Sequence, residues 1–251
     1  MFVKTALILG HPGHELRVFR FLELHRPVVY VLTDGSGNNG GESRLPSTLK
    51  VLQEAGCQAG SVFGRFTDQE IYQVILEKKK ETLKSLIEEI CTDLQKRGIE
   101  QIAGDGCEGY NPTHDLCRYM INIIAERTGL PNYDFLLDGP PHLCSEELKT
   151  QALWVGLNEG DFERKLTAAA NYPELKFDLE ETLKKHGKAP FMVECLRPVK
   201  TPAELKTWKT PLPHYETYAQ EKIQQGKYQE VISFETHVRP LAESLQVLCV
   251  S

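Results

Sequence analysis

Residues 3–15 read Val3-Lys4-Thr5-Ala6-Leu7-Ile8-Leu9-Gly10-His11-Pro12-Gly13-His14-Glu15. A short, almost unbroken apolar run followed by a glycine-bearing turn is what a strand buried on both faces of a parallel sheet requires. After the turn, Glu15 to Leu24 carries Leu16, Phe19 and Leu22 at helical spacing. Working outward, Pro27 to Thr33 is a second strand, rich in β-branched and aromatic residues. It opens into the glycine- and asparagine-rich loop Asp34 to Gly41. A helix over Ser47 to Ala55 and a short strand near Ser61 to Phe63 come next. Ile71 to Arg97 reads as one long helix or a broken pair, stopped by Gly98. Ile99 to Ala103 is a further strand and Thr113 to Arg127 a further helix, closed by Gly129. Tyr133 to Leu137 is a strand ahead of the Asp-Gly-Pro-Pro turn at 138–141.

Alternating strands and helices predict an α/β fold, a Rossmann-like, mostly parallel sheet with helices on both faces. The 251 residues suit one domain spanning 1–251. Residues 145–251 form an α+β extension or cap: helices over Glu146 to Ala170, Pro173 to Lys185 and Tyr215 to Gln225, and a strand over Phe191 to Leu196. Apolar residues make up 41% and charged residues 25%, enough for a substantial core. The net charge of −6 carries no basic footprint for nucleic acid or an acidic membrane. No apolar stretch approaches the roughly 20 residues of a membrane span. Seven cysteines at 57, 91, 107, 117, 144, 195 and 249 form no CxxC pair, which predicts reduced thiols in a cytoplasmic protein.

In such a sheet, ligands gather at the carboxyl ends of the strands. Three loops there carry unusual polar residues: Gly10 to Glu15, Asp34 to Gly41, and Gly104 to His114. His11 and His14, three apart around a tight turn, can point both imidazoles into one space above the sheet. His114 is placed to join them, because Asn111-Pro112-Thr113-His114 reads as an N-cap, a proline at the first helical position and a histidine in the first turn. Three imidazoles with an open fourth position is a catalytic zinc arrangement. Each residue also has a plainer reading. His14 alone would be an early-helix surface histidine, Asn111 only an N-cap, and Gly13 only a permissive turn residue. Cys107 and Cys117, which flank His114, read as buried thiols. His142, His214 and His237 have no partner visible in sequence, and His214-Tyr215-Glu216 is a possible pocket wall. A dinucleotide site is disfavoured, since the first turn lacks GxGxxG.

The motifs Gly10-His11-Pro12-Gly13-His14-Glu15 and Asn111-Pro112-Thr113-His114-Asp115 resemble those of the LmbE-like, or PIG-L, family of metal-dependent N-acetylglucosamine deacetylases. The family has A-H-P-D-D-E after its first strand and an H-P-D-H-like motif opening a later helix. Val31-Leu32-Thr33-Asp34-Gly35 with Arg44, Glu54-Ala55-Gly56, and Gly64 to Asp68 fall where the family has similar segments, so the resemblance covers about residues 1–140. It implies Zn2+ or another divalent transition metal on His11, His14 and His114. It also implies a hydrolase of an amide bond in an N-acyl amino sugar or related small molecule, with Arg44 and Asp34 on the substrate. Two departures stand out. Gly13 replaces the family's general-base aspartate, and Asn111 replaces the first histidine of the later motif. By loop position Glu15, Asp34, Asp105, Glu108 and Asp115 are replacement bases, and the Asn111 amide is a donor to an oxyanion. The alternative is a catalytically lapsed relative that binds a small molecule or partner. A homo-oligomer is compatible with either.

Overall fold

The computed structural model describes residues 3–37, 40–140, 143–205, 208 and 211–250. Asn38, Asn39, Pro141 and His142, named among the loops and histidines above, lie outside the described residues. The chain opens with β1 (Thr5–Leu9), a 3₁₀ turn over His14–Val18 and α1 (Phe19–His25). Then come β2 (Val28–Thr33), α2 (Leu45–Ala55), β3 (Gln58–Phe66), α3 (Asp68–Leu76), α4 (Lys80–Arg97) and β4 (Gln101–Asp105). The remainder is α5 (Pro112–Thr128), β5 (Asn132–Phe135), α6 (Glu146–Lys149), β6 (Leu153–Gly156), α7 (Glu159–Ala170), α8 (Lys176–His186), β7 (Val193–Pro198), α9 (His214–Gln224) and α10 (Arg239–Val250).

The seven strands lie in the order β3-β2-β1-β4-β5-β7-β6. Strands β1 to β5 pair in parallel, whereas β7 runs antiparallel to both β5 and β6. The expected mostly parallel α/β sheet is therefore present. Alternation along β1 explains its two-sided burial. Ala6 and Ile8 join the core under α3, α4, α5 and α10, while Leu7 and Leu9 join the core under α1, α2 and α7. The chain leaves β1 toward β3 on one side and returns to β4 on the other. The β1/β4 junction is thus the switch point at which such sheets open a crevice.

Four local expectations change. The strand near Ser61 runs from Gln58 to Phe66. The 71–97 segment is a broken pair, with Lys78 at φ 51° between α3 and α4. The 146–170 segment is not continuous helix, because β6 pairs with β7 in its middle. Finally α10, absent from the sequence expectation, buries Leu241, Ala242 and Leu245 in the core that also holds residues of α4 and α5.

Candidate metal centre

The crevice is built by tying the ends of β1 and β4 together. Gly10 N–H donates to Asp105 Oδ2 at 2.6 Å, joining the first residue after β1 to the last residue of β4. A Cβ at Gly10 would sit 3.1 Å from that same oxygen, so the small residue permits the approach. The chain then turns through Gly13 at φ 101°, a conformation that favours glycine, and enters the 3₁₀ turn that carries His14. On the other side, Asn111 caps α5: its Oδ1 accepts from Thr113 N–H at 2.8 Å, and Pro112 occupies the first turn. His114 therefore projects from the first turn of α5 toward the β1 loop.

His11, His14 and His114 meet above the sheet. Their ring centroids are 5.6 Å (11–14), 4.8 Å (11–114) and 4.5 Å (14–114) apart. One ring nitrogen from each lies within 4.8 Å of the others. Every ring also has its own carboxylate. His11 Nε2 lies 3.1 Å from Asp68 Oδ1, His14 Nδ1 2.9 Å from Asp105 Oδ2, and His114 Nδ1 2.6 Å from Glu108 Oε1. A carboxylate on one ring nitrogen fixes the tautomer and aims the other nitrogen, the arrangement characteristic of metal-ligating histidines. His11 Nδ1 is buried with no hydrogen-bond partner among the described residues. An orphaned imidazole nitrogen facing two more imidazoles is the donor set a divalent transition metal takes, so the residues fit such an ion.

The electrostatics follow from crowding acids and imidazoles out of water. Burial, with the charges of His14 and His11, pushes His114 well below its ordinary value, which keeps the ring neutral. Burial also pulls His14 down, but the charge and hydrogen bond of Asp105, aided by Glu108 and Glu15, leave it raised. Asp68 is held at about 2, because contact with His11 and bonds from Thr33 and Gly37 N–H outweigh its burial. Glu108 is pushed up to about 7 by burial, opposed by His14 and reinforced by Asp105, Asp115 and Asp138.

Not every expected residue reaches the cavity in front of the histidines. His11, His14, His114, Arg44 and Asn111 line it, as do Asp68, Tyr72, Glu108 and Tyr110. Glu15 lies fully buried behind the first turn, where its Oε2 accepts from Gly13 N–H at 2.8 Å. Asp115, also fully buried, accepts from the N–H groups of Glu108 and Gly109, both at 3.0 Å, and so shapes the loop that carries Glu108. Asp105 holds Gly10 and His14 from below. Asp34 closes its own loop, accepting from Ser36 N–H and Oγ. The Asn111 amide is divided between the cap and a bond from Nδ2 to Tyr72 Oη at 3.2 Å. Sequence reasoning missed Asp68 as the partner of His11; it heads α3, two strands from β1, and nothing local marks it. His214 reaches the rim indirectly, stacked on Tyr110 with centroids 4.6 Å apart.

No protein-family model and no curated protein matches the chain by sequence. Solved structures do match by shape. The A40926 pseudoaglycone deacetylase Dbv21 superposes with a TM-score of 0.57 at 17% identity, over 81% of this chain and 100% of that one. The zinc-inhibited form of the teicoplanin deacetylase Orf2 gives 0.54 at 13% identity, over 78% and 97%. A deacetylase–teicoplanin complex gives 0.51 at 12% identity, over 78% and 98%. The chain has the fold of these deacetylases. At such low identity the likeness covers the fold and leaves the chemistry to the residues above. Among the described residues, no helix is long and apolar enough to cross a membrane.

Proposed function

We propose that this chain is a metal-dependent amidohydrolase of the deacetylase type, a divergent relative of the LmbE-like or PIG-L enzymes. It cleaves the amide of an N-acyl amino sugar or related small molecule. The observation that carries this reading is the cluster of His11, His14 and His114, each ring braced by a separate carboxylate. The shared fold of the deacetylases supports the reaction class, and the seven free cysteines fit a reducing, cytoplasmic setting.

Zinc or another divalent transition metal held by the three imidazoles supplies Lewis-acid polarisation of a carbonyl and acidifies water. Asp68, Asp105 and Glu108 set the ring orientations. Glu108 lines the cavity and has Oε2 buried without a partner among the described residues, so it is the carboxylate placed to take a proton from water. The same carboxyl returns the proton to the departing nitrogen as the C–N bond breaks, a C–O bond having formed, to leave a carboxylate and an amine. Arg44 presents its planar fork to the sugar side, and the Asn111 amide and Tyr72 hydroxyl offer polar contacts beside it. Glu15, Asp105 and Asp115 act by holding the loops rather than by touching substrate.

The test is acetate and amine release from a panel of N-acyl amino sugars and other amides by zinc-loaded protein, repeated with Glu108→Gln. Turnover that falls by about 10²–10⁴-fold in the variant is expected. No release of acid or amine from a broad panel at full metal occupancy overturns the hydrolase reading. The second reading, a lapsed relative that only binds, draws on Gly13, where the family's base is replaced and no side chain fits. It requires saturable sugar binding without turnover.

A further inference from the structure

The chamber in front of the histidines has a volume of about 720 Å³, ordinary for a small-molecule site. Its two walls differ in chemistry. One presents Arg44, Asp68, Tyr72, Glu108 and Asn111. The other is apolar. Leu175, Leu179 and Leu183 recur every four residues along α8 and its entry, which places them on one helix face. Leu166 and Phe162 of α7 and Phe191 extend that wall. The four leucines are half-buried, one side against the core and the other on the chamber. Lys165 also borders this wall, but its ammonium is committed to Glu194 and to the Arg17 carbonyl.

The apolar wall begins at the reacting centre. Gly13 has no Cβ, and Leu175 Cδ1 fills that space, 2.4 Å from where a Cβ would stand. An amide has two arms, and a hydroxylated amine arm has its partners on the polar wall. The wall that starts at Leu175 then takes the acyl arm. Eight helical residues from Leu175 to Leu183 span about 12 Å. At about 1.2 Å per bond of extended chain, that length matches an acyl group of roughly eight to ten carbons.

We propose that the site selects an N-acyl group with a medium-length aliphatic chain, seated along Leu175, Leu179 and Leu183, with the amine-bearing sugar against the polar wall. The inference rests on the amide-hydrolase reading for which arm is acyl, and its test separates the two. Binding of N-acetyl-, N-butanoyl-, N-hexanoyl- and N-octanoylglucosamine is measured by calorimetry on the full chain, beside hydrolysis by the zinc-loaded protein. The dissociation constant is expected to fall about two- to fourfold per added methylene. A Leu179→Asp/Leu183→Asp variant is expected to lose that dependence. Phe177→Asp, on the outward face of the same helix and 72% exposed, is expected to keep it. Tightening with length but no hydrolysis supports the acyl wall and overturns the hydrolase reading. Hydrolysis of the acetyl compound, with affinity flat or weakening as the chain grows, overturns the acyl wall and leaves the hydrolase reading standing. Neither binding nor hydrolysis at any length overturns both.

Discussion

Leu175 occupies the space that a side chain on Gly13 would need: an ideal Cβ there falls 2.4 Å from Leu175 Cδ1 and 3.5 Å from the Tyr172 hydroxyl. The backbone at Gly13 is also left-handed, with φ 101°. Gly13→Ala therefore combines left-handed strain of about 1–2 kcal/mol with overpacking of about 1–3 kcal/mol. A loss of about 2–4 kcal/mol in urea unfolding is expected. In a double-mutant cycle with Leu175→Ala, the clash is relieved while the strain stays, giving a favourable coupling of about 0.5–3 kcal/mol. An unchanged urea midpoint in Gly13→Ala would contradict this packing. For the same reason Gly13→Asp is expected to displace Leu175 rather than to install a working base, and acetate release should not rise.

The three carboxylate–imidazole pairs make the metal prediction specific. Purified protein is expected to hold about one divalent ion per chain by elemental analysis, one ion being what a three-imidazole site takes. The ion should be absent from a His11→Ala/His114→Ala variant. Asp105→Asn keeps an oxygen for Gly10 N–H but weakens the hold on His14 Nδ1. It should lower metal affinity about 10–100-fold in chelator competition. Wild-type affinity in Asp105→Asn would mean that His14 is not oriented through this pair.

The first half of the fold was legible because each parallel strand is a continuous apolar run and each is followed by a helix with a clear stop, such as Gly98 or Gly129. The histidines were legible for a related reason: turns after β1 and β4 must open at the same switch point, so His11, His14 and His114 had to be neighbours. Their carboxylates were less so. Asp68 reaches His11 only because β3 and α3 fold back at the sheet edge, and acidic residues heading helices are common. The four residues of β6 are too few for a period to emerge, and their strand character comes from pairing with β7. In α10 the signal was present, with Val238, Leu241, Ala242 and Leu245 at helical spacing. The leucines of α8 carried a helical period too, but only the fold shows that the stripe faces a chamber as well as a core.

Lys165 and Glu194 form a buried pair that ties α7 and β7 to the start of α1. Lys165 Nζ donates to Glu194 Oε1 at 2.7 Å and to the Arg17 carbonyl at 2.9 Å. Glu194, fully buried, also accepts from the N–H groups of Arg20 and Phe21. Burial pulls the Lys165 ammonium down while Glu194 holds it up. Glu194→Gln leaves that ammonium buried without a counter-charge, and a loss of about 3–5 kcal/mol is expected. Lys165→Met/Glu194→Gln should be less destabilised than Glu194→Gln alone, because both charges leave the interior. Equal stability of Glu194→Gln and wild type in urea would refute the pair.

Asp93 gives the chain an acid-sensitive contact remote from the histidines. Its Oδ2 accepts from Tyr30 Oη at 2.9 Å, Arg97 Nε at 2.9 Å and Ser61 N–H at 3.2 Å. Burial pushes the carboxyl up, but these bonds and the Arg97 charge outweigh it and hold Asp93 below the usual carboxylate range. A folded-state value below the unfolded one means that the unfolded chain binds the proton first as acid is added. The contribution is thus fully present above the unfolded value of about 3.9, and it is lost as pH falls through the folded value. Asp93→Asn should cost about 1–3 kcal/mol at pH 6, and the gap to wild type should shrink steadily toward pH 3. Urea unfolding with a chelator present keeps metal loss out of the comparison. A gap that stays constant across that window would show that Asp93 is no more stabilised in the fold than in the unfolded chain.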